Sequence, residues 1–218
     1  MQNMALPEND ENTEMQTERK PLKPFHPLHV RFARLISIVL SPVTISLPFI
    51  TLVALYSHES NALISAALTL FFLSFGPMLY IILGVRSGKF TDVDVSVRSQ
   101  RTGPFLFIIV SSLFGFFVLN KIHGSKNLES VLLITAISGI ILMIITFWWK
   151  VSMHASSLSG AITMLSILYG KIMLPAFLLV LLVSWSRVVL RRHTIAQVTV
   201  GSLMSIILSW IFLSIRGI

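Results

Sequence analysis

No cysteine occurs in the 218 residues, which excludes disulfides, thiolate metal sites and a cysteine nucleophile. Charge is nearly as scarce. Charged residues make up 12% of the chain against 54% hydrophobic, and the mean hydropathy is +0.82. An ordinary soluble domain carries about 25% charged residues, so this composition belongs to a membrane protein. Acidic groups are few: 9 Asp and Glu stand against 17 Lys and Arg, a formal net charge of +8. In a soluble chain that excess would suggest nucleic acid. In one this apolar it fits cytoplasmic loops and an anion site, and no nucleic-acid partner is expected. No internal repeat stands out, and no cleavable signal segment is expected, because the N-terminal stretch is polar before any apolar run begins.

Residues 1–30 read as a disordered polar tail. Glu8, Asp10, Glu11, Glu14 and Glu18 lie among Asn, Gln and Thr, and Pro21, Pro24 and Pro27 punctuate a basic stretch after them. Such a composition cannot bury enough apolar area to offset its ordering entropy. Residues 31–218 form one transmembrane domain. A crossing needs about 20 apolar residues, and seven runs are candidates: 35–57, 62–85, 104–120, 131–149, 155–169, 172–190 and 195–215. The expected fold is all-α, a multipass transmembrane helical bundle of about six to seven spans in the cell membrane. Pro42, Pro48 and Gly76-Pro77 should kink their helices.

The polar connections carry the chemistry. They run from Arg86 to Pro104, from Lys150 to Ser156, and from Ser184 to Gln197. Two crossings separate each from the next, so all three fall on one membrane face. Four of the 17 Lys and Arg, namely Lys121, Lys126, Lys171 and Arg216, fall on the opposite face. The excess of positive charge therefore places the motif face in the cytoplasm. On that face Arg191 and Arg192 read as positive anchors, and Trp148 and Trp149 as an interfacial aromatic belt. His58 and His123 read as surface residues of the other face.

Hydrolysis of a phosphate ester needs cations on its oxygens, a nucleophile in line with the leaving oxygen, and an acid to protonate that oxygen. Arginine binds phosphate through its planar fork, and histidine titrates near neutrality. The three loops supply those residue types. Ser186-Arg187, five residues, His193, three residues and Gln197 resembles the third signature of the type-2 phosphatidic acid phosphatase superfamily, integral-membrane enzymes acting on lipid phosphates. Val151-Ser152-Met153-His154 resembles the second, with the proline and glycine of Pro-Ser-Gly-His replaced. Arg101-Thr102-Gly103-Pro104 is similar to the end of the first, and Asp94 stands where that signature has lysine.

The resemblance implies His193 as the nucleophile that forms a phosphohistidine and His154 as the general acid. Gln197 takes the place of the aspartate that orients the nucleophile. Arg187, Arg101, Arg98, Ser152, Lys150 and Ser186 would bind the substrate, with no metal and no cofactor. The expected function is a membrane lipid phosphatase, with a lipid phosphate or isoprenoid diphosphate as substrate and membrane lipids as partners. Two alternatives stand beside it: a prenyl- or phosphotransferase holding a metal-diphosphate on Asp92 and Asp94, and a non-catalytic lipid-binding relative, suggested by Gln197.

Overall fold

The structure is a computed structural model and describes residues 27–57, 59 and 61–218. Most of these residues are helical: α1 (Leu28–Val39), α2 (Pro42–Ser57), α3 (Ala62–Leu70), α4 (Gly76–Arg86), α5 (Thr102–Lys121), α6 (Lys126–Thr146), α7 (Met153–Tyr169), α8 (Phe177–Val189) and α9 (Ile195–Arg216). No strand occurs among the described residues. Five helical stretches are long and apolar enough to cross a bilayer, and the bent pair α1–α2 makes a sixth. The fold is a multipass helical bundle.

One of the five, Met153–Val189, is 37 residues long. His154 near its start and Arg187 near its end nevertheless line one cavity. A straight helix would hold them about 50 Å apart, so α7 and α8 are two legs that run back along each other. The reversal lies in the 3₁₀ segment Gly170–Ala176, where Gly170 has φ 77° and Pro175 supplies no N–H.

Breaks elsewhere have equally local causes. The run expected from residue 35 to 57 is two helices bent by 45°, because Pro42 opens α2 at a position where its missing N–H costs nothing. Between α3 and α4 the chain makes a π-turn over Phe71–Phe75, just before Pro77. Ser111 on α5 donates to the Phe72 carbonyl at 2.6 Å within that turn. Helix α6 starts at Lys126, five residues before the apolar run, because buried Glu129 pairs with Arg216 at 3.6 Å near the end of α9. Of the polar tail expected over residues 1–30, the first 26 lie outside the described residues, and Leu28 already opens α1. His58 also lies outside them.

With lipid outside, helices associate through close packing and buried hydroxyls rather than apolar burial. The tight α7–α9 contact shows this. Gly160 faces Ser205 and Ser209, and Ser156 and Ser205 share a hydrogen bond of 2.5 Å. At the end away from the motif loops, Ile50, Val53, Leu119, Leu128, Leu132, Met164 and Leu213 form an apolar core. Phe71, Phe75, Phe114, Phe117 and Trp210 point outward, as lipid-facing residues do. The motif end is held open instead.

Candidate functional site

Helix α8 sets the geometry of the site through the way it stops. Arg191 adopts the left-handed conformation, φ 53°. Its N–H bonds the Val188 carbonyl at 2.9 Å, and the Arg192 N–H bonds the Arg187 carbonyl at 3.0 Å. This is a Schellman ending with arginine where glycine is usual. It folds the chain back so that the His193 N–H also reaches the Arg187 carbonyl, at 3.3 Å. The spacing of Arg187 and His193 is therefore one closing helical turn, with both side chains aimed at the same cavity.

Helix α9 then starts at once with a capping box. The Thr194 hydroxyl accepts from the Gln197 N–H at 3.3 Å, and the Gln197 Oε1 accepts from the Thr194 N–H at 3.2 Å. The same Oε1 lies 3.1 Å from Nδ1 of His193. Gln197 thus caps a helix and holds an imidazole with one atom.

The loop of residues 87–97 is anchored by Phe90, whose ring occupies the space over Gly84 where a Cβ would lie 2.2 Å from it. Asp92 Oδ1 accepts from the Asp94 N–H at 2.9 Å and from the Ser96 hydroxyl at 3.0 Å, closing a turn. That turn aims Asp94 inward. Arg187, 3% exposed, donates from Nη1 to Asp94 Oδ2 at 3.1 Å and to Ser37 Oγ on α1 at 2.6 Å. Its buried Nε has no hydrogen-bond partner among the described residues.

Arg101 is also buried. Its Nε donates to the Val95 carbonyl at 3.0 Å and its Nη1 to the Val151 carbonyl at 3.1 Å. One guanidinium therefore ties the first motif loop to the second. Val151 and Ser152 are pressed against Gly201 of α9, where an added Cβ would sit 3.1 Å from the Ser152 carbonyl oxygen.

Arg101, His154, Arg187 and His193 all line one cavity of about 990 Å³. Asp92, Asp94, Arg34, Arg191 and Arg192 complete its charged end. Beyond Ser156 and Ser157 the lining becomes apolar, with Phe49, Leu73, Ile108, Ile134, Met164 and Leu213 running toward the far side of the bundle. The cavity is amphiphilic: cationic at one membrane face and greasy in depth.

The remaining sequence-derived candidates sit around this cavity rather than in it. Ser152 is fully buried and caps α7, its Oγ accepting from the Ala155 N–H at 3.4 Å. Ser186 is fully buried and donates to the Val183 carbonyl at 2.7 Å. Arg98 is exposed and bonds the Trp148 carbonyl at 2.7 Å. Lys150 is half-buried beside the cavity. Sequence reasoning missed several contributors, Arg34 among them. Ser37 lies on a helix with no motif. Arg192 reads as a surface anchor, yet it lines the cavity and donates to Ser96 Oγ at 2.5 Å. Asp94 reads as half of an acidic pair, although its place in a phosphate-binding signature marks it as unusual.

Electrostatics follow from this crowding of cations. His193 is pushed down to about 3 by burial first, then by Arg101 and Arg187, with only the Gln197 bond opposing. It is a neutral imidazole. Lys150 is lowered by burial and then by Arg101, Arg192 and Arg187. Partial burial raises Asp94, but Arg187, His154 and Arg192 together outweigh it and leave the carboxyl below its ordinary value. Asp92 and Asp94 are thus both engaged, one with the loop backbone and one with Arg187. No group of three metal-ligating side chains occurs among the described residues.

Comparison of the chain with protein-family models, curated proteins and solved structures finds no match.

Proposed function

We propose that this protein is a membrane-embedded hydrolase of lipid phosphates or isoprenoid diphosphates that works through a phosphohistidine. The observation that carries the reading is the cavity: two imidazoles and several guanidiniums at its polar end, continuous with an apolar interior fit for an acyl or prenyl chain. Oε1 of Gln197 accepts from the Thr194 N–H, so the amide orientation is fixed and Nδ1 of His193 must be the donor. The Nε2 lone pair is then free to attack phosphorus. Arg187 and Arg101 neutralise the equatorial oxygens as the bond to His193 forms and the bond to the leaving oxygen breaks. His154 gives the leaving oxygen its proton, and a water later takes the phosphoryl group from His193.

Purified protein offered a panel of lipid phosphates and diphosphates should release phosphate equally with and without EDTA, and His193→Ala should release none. Full release by His193→Ala would overturn the mechanism. The ion pair between Asp94 and Arg187, with Gln197 at the carboxylate position, favours one second reading: a lipid-binding protein without turnover. Binding of the same lipids with no phosphate release would select it.

The motif face is assigned to the cytoplasm on its excess of Lys and Arg. Single cysteines at the exposed positions Ser99 and Lys121 should react with an impermeant reagent from opposite sides, Lys121→Cys from outside. Outside labelling of Ser99→Cys instead would reverse the orientation.

A further inference from the structure

A carboxylate in a phosphate seat is an anomaly that calls for a physical reason. Asp94 already holds Nη1 of Arg187, and Arg187 is buried with an Nε that nothing satisfies. An incoming phosphate has two options. It can displace Asp94 and leave that carboxylate without a partner beside new negative charge, or it can bind next to Asp94 and meet its repulsion. Like charges brought together at a binding surface oppose association. A ligand that brings its own cation removes the conflict. Its phosphate takes the guanidinium of Arg192 and the donors of Arg101 and Arg187 that backbone and Asp94 leave over, and its ammonium takes the carboxylate of Asp94, which lies at the more exposed rim.

We infer that Asp94 is a specificity residue that selects lipid phosphates carrying an ammonium group a few bonds from the phosphorus, in preference to purely anionic headgroups. The inference rests on the lipid-phosphate reading above and narrows its substrate class. Discrimination comes from repulsion of the wrong ligand as much as from attraction of the right one. The apolar depth of the cavity requires the headgroup to be lipid-borne rather than free in water.

The test is equilibrium binding to the purified full chain of three phosphate monoesters: a long-chain 2-aminoalkyl phosphate, its N-acetylated twin, and chain-free 2-aminoethyl phosphate. Acetylation removes the ammonium and keeps the phosphate and chain. Wild type should prefer the free amine by about tenfold or more, equivalent to about 1.4 kcal/mol. Asp94→Asn should bind the twin more tightly and shrink the preference to about twofold or less. Asp94→Glu, which keeps the charge, should retain the preference, and melting temperatures of both variants report folding. Equal and tight binding of the two lipids by wild type would overturn the role of Asp94 and leave the lipid-phosphate site standing. Failure of wild type to bind either lipid would overturn both. Binding of the chain-free compound as tightly as the lipid would overturn the lipid-borne form.

Discussion

Oε1 of Gln197 lies 3.1 Å from Nδ1 of His193 and 3.2 Å from the Thr194 N–H that it caps. One amide oxygen therefore fixes both a tautomer and a helix start. The acceptor is neutral, so an imidazolium forming at His193 gains orientation but no opposite charge.

Gln197→Glu keeps both acceptor contacts and adds that charge. Its phosphate release should equal or exceed wild type, whereas Gln197→Leu should be slower by on the order of 10- to 1000-fold. Leu also removes half of the capping box, at about 0.5–1 kcal/mol. Single-turnover release at matched folded fractions separates the two effects. Equal rates in Gln197→Leu and wild type would reduce Gln197 to a cap.

Two glycines hold the motif loops in place by giving way to them. Gly84→Ala drives a methyl into the Phe90 ring, which is 4% exposed and anchors the loop that carries Asp94. Gly201→Ala presses on the Ser152 backbone at 3.1 Å. Each should cost about 1–3 kcal/mol of stability and weaken lipid-phosphate binding. Gly88→Ala, where an added Cβ meets nothing, is strained only through its φ of 75° and should leave binding nearer wild type. Measured binding constants for the three variants check the order, and unchanged binding in Gly84→Ala would detach Phe90 from the site.

Arg191 holds a left-handed conformation that glycine adopts without steric cost. Arg191→Gly should therefore stabilise the fold by about 0.5–1 kcal/mol while leaving the Arg187–His193 geometry intact. Thermal unfolding in detergent measures it. A clear loss of stability would mean that the exposed guanidinium contributes more than the strain it imposes.

The depressed pKa of His193, about 3, makes stability depend on pH with a definite sign. Between about 3 and the unfolded value near 6.5 the unfolded chain binds more protons. Stability is therefore complete above about 6.5 and is lost as pH falls through that window. Asp94, with a lowered pKa, contributes stability that is complete above its unfolded value of about 3.9 and is lost as pH falls below it. Denaturation at pH 4.5 and pH 7 should show a smaller difference in His193→Gln than in wild type. An identical difference would place the acid sensitivity elsewhere.

Much of this architecture was legible in the chain because it rests on local properties. Hydropathy is summed over neighbouring residues, so the apolar runs announced themselves, and parity alone put the three polar loops on one face. Prolines at 42 and 77 marked breaks because each lacks an N–H wherever it sits, whereas Pro48, also expected to kink its helix, lies inside α2, and the reversal around Pro175 was not anticipated. The ends of α6 were harder to read, because the charge of Glu129 argues against a buried helix until Arg216, distant in sequence, is known to meet it.

The character of the site was decided by tertiary structure. Nothing near Arg187 in sequence indicates that Asp94 and Ser37, 93 and 150 residues away, share its Nη1. Nor does the sequence show that Ser152 and Ser186 turn into their helices while Arg192 turns toward the cavity. Such outcomes depend on how helices pack, through glycines that admit a ring or a strand of backbone and hydroxyls that meet across an interface. Residue type and spacing determined that this chain lives in a membrane and gathers cations and imidazoles on one face. Packing decided which of them line a common space and which are held by their own backbone, because burial and pairing are properties of neighbours in space.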